Sequence, residues 1–165
     1  RFISIYIEKT NIQLLVLQIM ENLKEYIIKE VYKKGNFSVA DASFYSTTLS
    51  EHISRHKLAD ISLDTFFYSS HSTGLLSLWS GLPVVTLEGE NFASRVVASF
   101  LKNLSMNQLI ARNEDHYVSI VCDLYKSKSV VKELKIKLLK EKNTNKIFNS
   151  NFFVKELEKL YISVL

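Results

Sequence analysis

At 165 residues the chain is long enough for one domain with a buried core. Hydrophobic residues make up 47% and charged residues 23%, the balance of a globular rather than a disordered or fibrous chain. The net charge of +4 gathers in the lysine-rich stretch Lys126 to Lys146, which reads as a solvated helix face, since no aromatic-interleaved patch or motif marks a nucleic-acid interface.

The chain begins at Arg1 without an initiator Met and has no signal-peptide cleavage pattern, so it is expected to be a piece of a longer polypeptide. Phe2 to Ile7 places Ile3, Ile5 and Ile7 on one face and reads as a strand. Asn11 can cap a helix from Ile12 to about Lys34, whose apolar positions Leu15, Ile19, Leu23, Ile27 and Val31 step by four and form a buried stripe. The run Ile12 to Met20 is too short to span a membrane. Phe37 to Ala42 is a second strand. Thr48-Leu49-Ser50-Glu51 has the form of a capping box and opens a short helix carrying His52 and Arg55. Ala59 to Thr65 is a short buried strand, Leu75 to Ser80 a helix that stops at Gly81, and Pro83 to Leu87 the next strand. Helices follow at Phe92 to Asn103, Glu114 to Tyr125, Val130 to Lys142 and Phe152 to Ser163, with Asn143 to Asn151 a polar turn. Cys122, the single cysteine, falls in an apolar helical pattern and is expected to be buried and inert; it excludes an internal disulfide and fits a reducing compartment. Strands alternating with helices predict an α/β fold: a Rossmann-like open, mostly parallel sheet with helices on both faces and about four strands.

The stretch Tyr68-Ser69-Ser70-His71-Ser72-Thr73-Gly74 joins a strand to a helix N-terminus. There the first N–H groups lack internal partners and the helix dipole favours negative charge. Small residues let a phosphate approach, and Ser72 and Thr73 can donate to it; an ordinary capped βα turn has the same form. In an open α/β sheet ligands bind outside the carboxyl ends of the strands. His52, Arg55, the His71–Gly74 turn and the Glu88–Ser94 loop are therefore expected to converge on one crevice. His52 and His56 have a zinc-compatible spacing, but no third ligand and no His-Glu-x-x-His accompany them. Asp60 and Asp64 share a strand face but lie roughly 13 Å apart, too far for paired acid–base work. Asp64, at the strand end, is the more interesting of the two. Leu75, Leu78, Trp79 and Leu82 read as core. Arg95 opens a helix, placed either to reach an anion or to pair with Glu90. No Gly-x-Ser-x-Gly, Walker or Gly-x-Gly-x-x-Gly motif occurs.

The words His52-Ile53-Ser54-Arg55, Leu58 to Thr65, His71-Ser72-Thr73-Gly74, Leu78-Trp79-Ser80-Gly81-Leu82-Pro83-Val84-Val85-Thr86, Gly89-Glu90 and Ala93-Ser94-Arg95-Val96 occur in order. From about residue 50 to 162 the chain thereby resembles the C-terminal catalytic lobe of the protein O-GlcNAc transferases, glycosyltransferase family 41. The resemblance implies the C-terminal, nucleotide-sugar-binding lobe of a GT-B enzyme across residues 1–165, with residues 126–165 as its closing helices. It implies transfer of GlcNAc from UDP-GlcNAc to Ser or Thr of cytosolic and nuclear proteins, with inversion and without a metal or other cofactor. Nucleotide sugar and acceptor proteins are the implied partners; nucleic acid and membranes are not.

By position His52 resembles the histidine that stacks on uracil and Arg55 the arginine closing that motif. His71, Ser72 and Thr73 match the diphosphate-binding His-Thr-Thr, and Thr47, Thr48 and Leu49 fall where the base-contacting Ala-Pro-Lys lies. Leu49 stands where the family has lysine, and Leu76 where an aspartate holds the ribose. The family's catalytic lysine falls upstream of Arg1, so no catalytic residue is expected within these 165 residues and turnover by them alone is not. A related enzyme with another donor, such as a SPINDLY-type protein O-fucosyltransferase, and a non-catalytic relative that binds nucleotide weakly or mediates protein contacts are the alternatives.

Overall fold

The computed structural model describes residues 5–8, 14–16, 38–41, 49–57 and 59–164. Its centre is two adjacent parallel strands, β4 (Ile61–Leu63) and β5 (Val84–Leu87). Ile61, Ser62 and Leu63 are each at most 1% exposed, and Val84, Val85 and Thr86 are fully buried. Successive strand side chains point to opposite faces, so burial of every one means that helices cover both faces, as in a doubly wound sheet. The sheet runs in the order β2-β4-β5-β6, all parallel, with β2 at Leu14–Val16 and β6 at Ile110–Ala111.

Two expectations change. The helix expected from Ile12 is interrupted at its start, where Leu14-Leu15-Val16 is strand β2, paired Leu14 to Ile61 and Val16 to Leu63. A short apolar run such as Leu14-Leu15-Val16 fits a strand or a helix segment equally, and periodicity cannot separate the two. The rest of that expected helix lies outside the described residues. The strands expected at Phe2 to Ile7 and Phe37 to Ala42 exist as β1 (Ile5–Glu8) and β3 (Ser38–Asp41). They pair antiparallel in a separate two-stranded sheet, Tyr6 facing Ala40. Alternating pattern fixes the presence of a strand but not its neighbour.

The helices follow the expected order: α1 (Leu49–His56), α2 (Ser72–Trp79), α3 (Val96–Asn103), α4 (Glu114–Lys126), α5 (Lys128–Glu141) and α6 (Ser150–Val164). The stretch Phe92 to Asn103 is split, a 3₁₀ turn at Phe92–Ser94 capped by Asn91 preceding α3. Gly81, with φ of +86°, turns the chain out of α2 toward β5. Leu82 N–H returns to Ser77 O at 2.9 Å, closing the helix in the manner of a glycine C-cap. The core joins Leu78 of α2, Val97 and Leu101 of α3, Tyr117 and Val121 of α4, and Val131, Leu134 and Leu138 of α5. Leu82 is also buried, whereas Leu75 and Trp79 are half-buried at its margin. Cys122 is buried, as expected.

The lysine-rich stretch does more than face water. Lys135 Nζ reaches Asp60 Oδ1 at 2.6 Å and Ala59 O at 2.9 Å, tying α5 to the entry of β4. Lys142 Nζ lies 3.3 Å from the centre of the Trp79 ring, a cation–π contact joining α5 to the end of α2. Among the described residues no helix is long and apolar enough to cross a membrane.

Candidate functional site

The site is built where β4 ends. Asp64 follows its last residue, is 1% exposed, and is surrounded by hydroxyls. Its Oδ2 accepts from Ser69 Oγ and from Thr86 Oγ1, each at 2.6 Å. Its Oδ1 accepts from Ser70 N–H at 2.7 Å and from Ser70 Oγ at 2.6 Å. These bonds fold residues 65–70 back over the strand end and deliver His71 to the N-cap of α2. The loop is closed further by Thr65 Oγ1 donating to Tyr68 O.

At the start of α2 the first intrahelical bond runs from Leu75 N–H to His71 O at 3.0 Å. The N–H groups of Ser72, Thr73 and Gly74 precede it and are the helix's orphan donors. His71 is not a side-chain cap; its ring stacks on Tyr68 at 4.7 Å between centroids and meets Phe92 edge-on at 6.4 Å. At the helix tip Ser72 is exposed and Thr73 half-buried. Leu76 is half-buried three residues after Thr73, on the same side of the helix.

The Glu88–Ser94 loop comes to the same place. Ser69 N–H donates to Ala93 O at 2.9 Å, and His71 Nε2 lies 3.4 Å from that carbonyl. Gly74 touches the start of α3: a Cβ built on it would stand 2.8 Å from Val97 Cγ2 and 3.1 Å from Ser70 Oγ. Helix α1, which carries Leu49, His52 and Arg55, packs against α2; the side chains of those three residues, and Thr47 and Thr48 altogether, lie outside the described residues. Beside the His71–Gly74 turn, at the carboxyl ends of β5 and β6, opens a cleft of about 660 Å³ between Phe66 and Phe67, the Glu88 to Asn91 turn, and Arg112. His71, Ser72 and Thr73 do not line it, so the turn and the cleft are neighbours rather than one pocket.

Arg95 and Glu90 are both exposed and not joined; the ion pairs among the described residues are Lys102–Glu88, Lys126–Asp123, Lys135–Asp60 and Lys159–Glu156. No group of three His, Cys, Asp or Glu among the described residues could hold a metal ion. The residues that sequence reasoning left out are Ser69 and Thr86, the hydroxyls that pin Asp64. Their signal was an aspartate ending an apolar strand just ahead of a serine-rich turn.

Behind Asp64 stands Tyr117 of α4, fully buried, with its hydroxyl donating to Asp64 O at 3.1 Å and its ring edge-on to Phe66 at 4.9 Å. Burial, reinforced by the Asp64 charge and only partly offset by that hydrogen bond, raises the phenol's pKa well above the ordinary 10.0. The folded-state value exceeds the unfolded one, so the neutral phenol's contribution is complete below the unfolded value and is lost as pH rises through the folded one. Tyr117→Phe should cost about 0.5–1.5 kcal/mol near neutral pH and flatten the loss of stability in alkali, checked by thermal melts at neutral and alkaline pH.

An open parallel sheet covered on both faces, with a helix N-terminus presented at its carboxyl edge, defines the Rossmann-like class of α/β lobe. Within that class the chain belongs to glycosyl transferase family 41, whose model matches residues 10–157. It is 35% identical over 114 residues to a probable UDP-N-acetylglucosamine–peptide N-acetylglucosaminyltransferase SPINDLY of Hordeum vulgare, covering 69% of this chain and 12% of that protein. It is 34% identical over 110 residues to a UDP-N-acetylglucosamine–peptide N-acetylglucosaminyltransferase of Caenorhabditis elegans, covering 67% and 10%. The structure is similar to that of a Thermobaculum terrenum O-GlcNAc transferase variant, with a TM-score of 0.66 and 29% identity over 72% of this chain and 23% of that one. The fold is thus that of a GT-B glycosyltransferase lobe, and the chain spans about an eighth or less of the curated relatives named here.

Proposed function

We propose that this chain is the donor-binding part of a UDP-GlcNAc-dependent protein O-GlcNAc transferase. The observation that carries the reading is the His71–Gly74 turn, which presents the orphan N–H groups of α2 at the carboxyl edge of the sheet in a family 41 chain. In this reading Ser72, Thr73 and the first N–H groups of α2 hold the diphosphate, with His71 beside them. His52 stacks on the base, Thr47, Thr48 and Leu49 border it, Arg55 closes that motif, and Leu76 lies by the ribose. As the glycosidic bond breaks, negative charge grows on the departing UDP. The dipole of α2 and its aimed donors favour that charge more in the transition state than in the bound donor. The donor sugar passes to Ser or Thr of acceptor proteins, without a metal, in the cytoplasm or nucleus.

Calorimetric titration with UDP, with GDP as the control nucleotide, tests this. Micromolar UDP binding is expected, weakened about tenfold by Thr73→Ala through loss of one hydroxyl donor to a charged oxygen. A preference for GDP would assign a different donor, as in a protein O-fucosyltransferase-like enzyme. Absence of any nucleotide binding by folded protein would overturn the donor site and favour a non-catalytic relative.

A further inference from the structure

Asp64 carries a buried charge that the proposed donor contacts do not use. Its carboxylate accepts four hydrogen bonds, two on each oxygen, from Ser69, Ser70 and Thr86. That occupies the lone-pair sites of an ionised carboxylate, a set of acceptors that no amide or hydroxyl can match. The network extends one step further. Ser69 Oγ, its proton committed to Asp64, accepts the Val97 N–H at 3.1 Å, in the first turn of α3. One carboxylate therefore fastens the end of β4, the middle of β5, the start of α3 and the loop that feeds the N-cap of α2.

We propose that Asp64 is the positioning residue of the diphosphate cradle: by gathering Ser69, Ser70 and Thr86 it holds the N-terminus of α2 rigid, so that its donors are aimed before a diphosphate arrives. The inference rests on the reading of His71–Gly74 as the diphosphate site. Donors fixed in advance spare the ligand the cost of ordering the loop. Electrostatics alone predicts the opposite of positioning. A negative charge behind the cradle repels the diphosphate, so neutralising it without other change would strengthen binding. The sign of the effect therefore separates positioning from charge.

The test measures Kd for UDP and for uridine on the wild-type protein, Asp64→Asn and Thr86→Val. Asparagine keeps the shape but offers only one acceptor oxygen; valine keeps the carboxylate and removes one of its donors. The expected result is an unchanged Kd for uridine and a UDP-over-uridine preference that falls at least tenfold in Asp64→Asn and a few-fold in Thr86→Val. A general loss of stability would lower the amount of active protein but leave that ratio intact. A ratio that stays the same or rises in the folded variants overturns the inference while leaving the donor site standing. If Asp64→Asn does not fold, the ratio in Thr86→Val decides alone. Wild-type protein that binds no UDP removes the diphosphate site itself, a failure seen before any variant is compared.

Discussion

Replacing Gly74 by alanine should lower the melting temperature by several degrees and weaken UDP binding, although alanine is the better helix former. The intrinsic gain for Gly to Ala in a helix is about 1 kcal/mol. Against it stands a Cβ that would sit 2.8 Å from Val97 Cγ2 and 3.1 Å from Ser70 Oγ. Neither neighbour can give way cheaply. Val97 is fully buried, with a side chain stiff at χ1, and Ser70 Oγ is bonded to Asp64 at 2.6 Å. Overpacking of this kind costs about 1–3 kcal/mol, which leaves a net loss of up to about 2 kcal/mol after the helix gain, and 1 kcal/mol moves the midpoint roughly 2–4 °C in a chain of this size. Relief must come from α2 moving away from α3, which displaces the cradle donors. Gly74→Ala combined with Val97→Ala should recover UDP affinity beyond the sum of the single effects, the mark of a direct contact. A single Gly74→Ala variant with unchanged melting and UDP affinity would show that the two helix starts are not in the close contact described.

Local chemistry explains which parts of this architecture were legible in the sequence. The βα turn at Tyr68–Gly74 could be read because its signals are short-range: an apolar strand, a cluster of small hydroxyl residues, then a helix ending at a glycine whose φ is +86°. The helices from Glu114 onward carry caps and apolar spacing that tertiary context did not need to override, as at Asn113, whose side chain accepts from His116 N–H. Pairings between distant segments were not legible. Nothing local told Leu14-Leu15-Val16 to lie beside Ile61 to Leu63 rather than coil into a helix, nor Ile5–Glu8 to run antiparallel to Ser38–Asp41. The two-residue strand Ile110–Ala111 is too short to have a period at all. The Asp64 network shows the same division. Asp64 to Ser70 is a local loop, while Thr86 and Val97, 22 and 28 residues from their partners, enter only when the sheet and α3 assemble.

Replacing Leu76 by aspartate should tighten UDP binding about ten- to a hundredfold. Leu76 lies in the second turn of α2, three residues beyond Thr73 and on its side of the helix, half-buried. In the proposed donor pose this is where the ribose hydroxyls lie, and a leucine there offers them no acceptor. A carboxylate would accept hydrogen bonds from the sugar, each charge-assisted bond contributing about 1.5–3 kcal/mol, or roughly one to two decades in Kd. The opposing electrostatic effect is smaller: repulsion between the new charge and the diphosphate is weakened by salt screening. Loss of half-buried apolar contact at Leu76 costs on the order of 1 kcal/mol of fold stability, without bearing on the ribose. Titrating the Leu76→Asp protein with UDP and with its 2′,3′-dideoxy analogue separates the terms. The gain should appear for UDP and vanish for the analogue. Equal affinity of wild type and variant for UDP would mean that the ribose does not lie over the second turn of α2, and would turn the nucleotide around in the site.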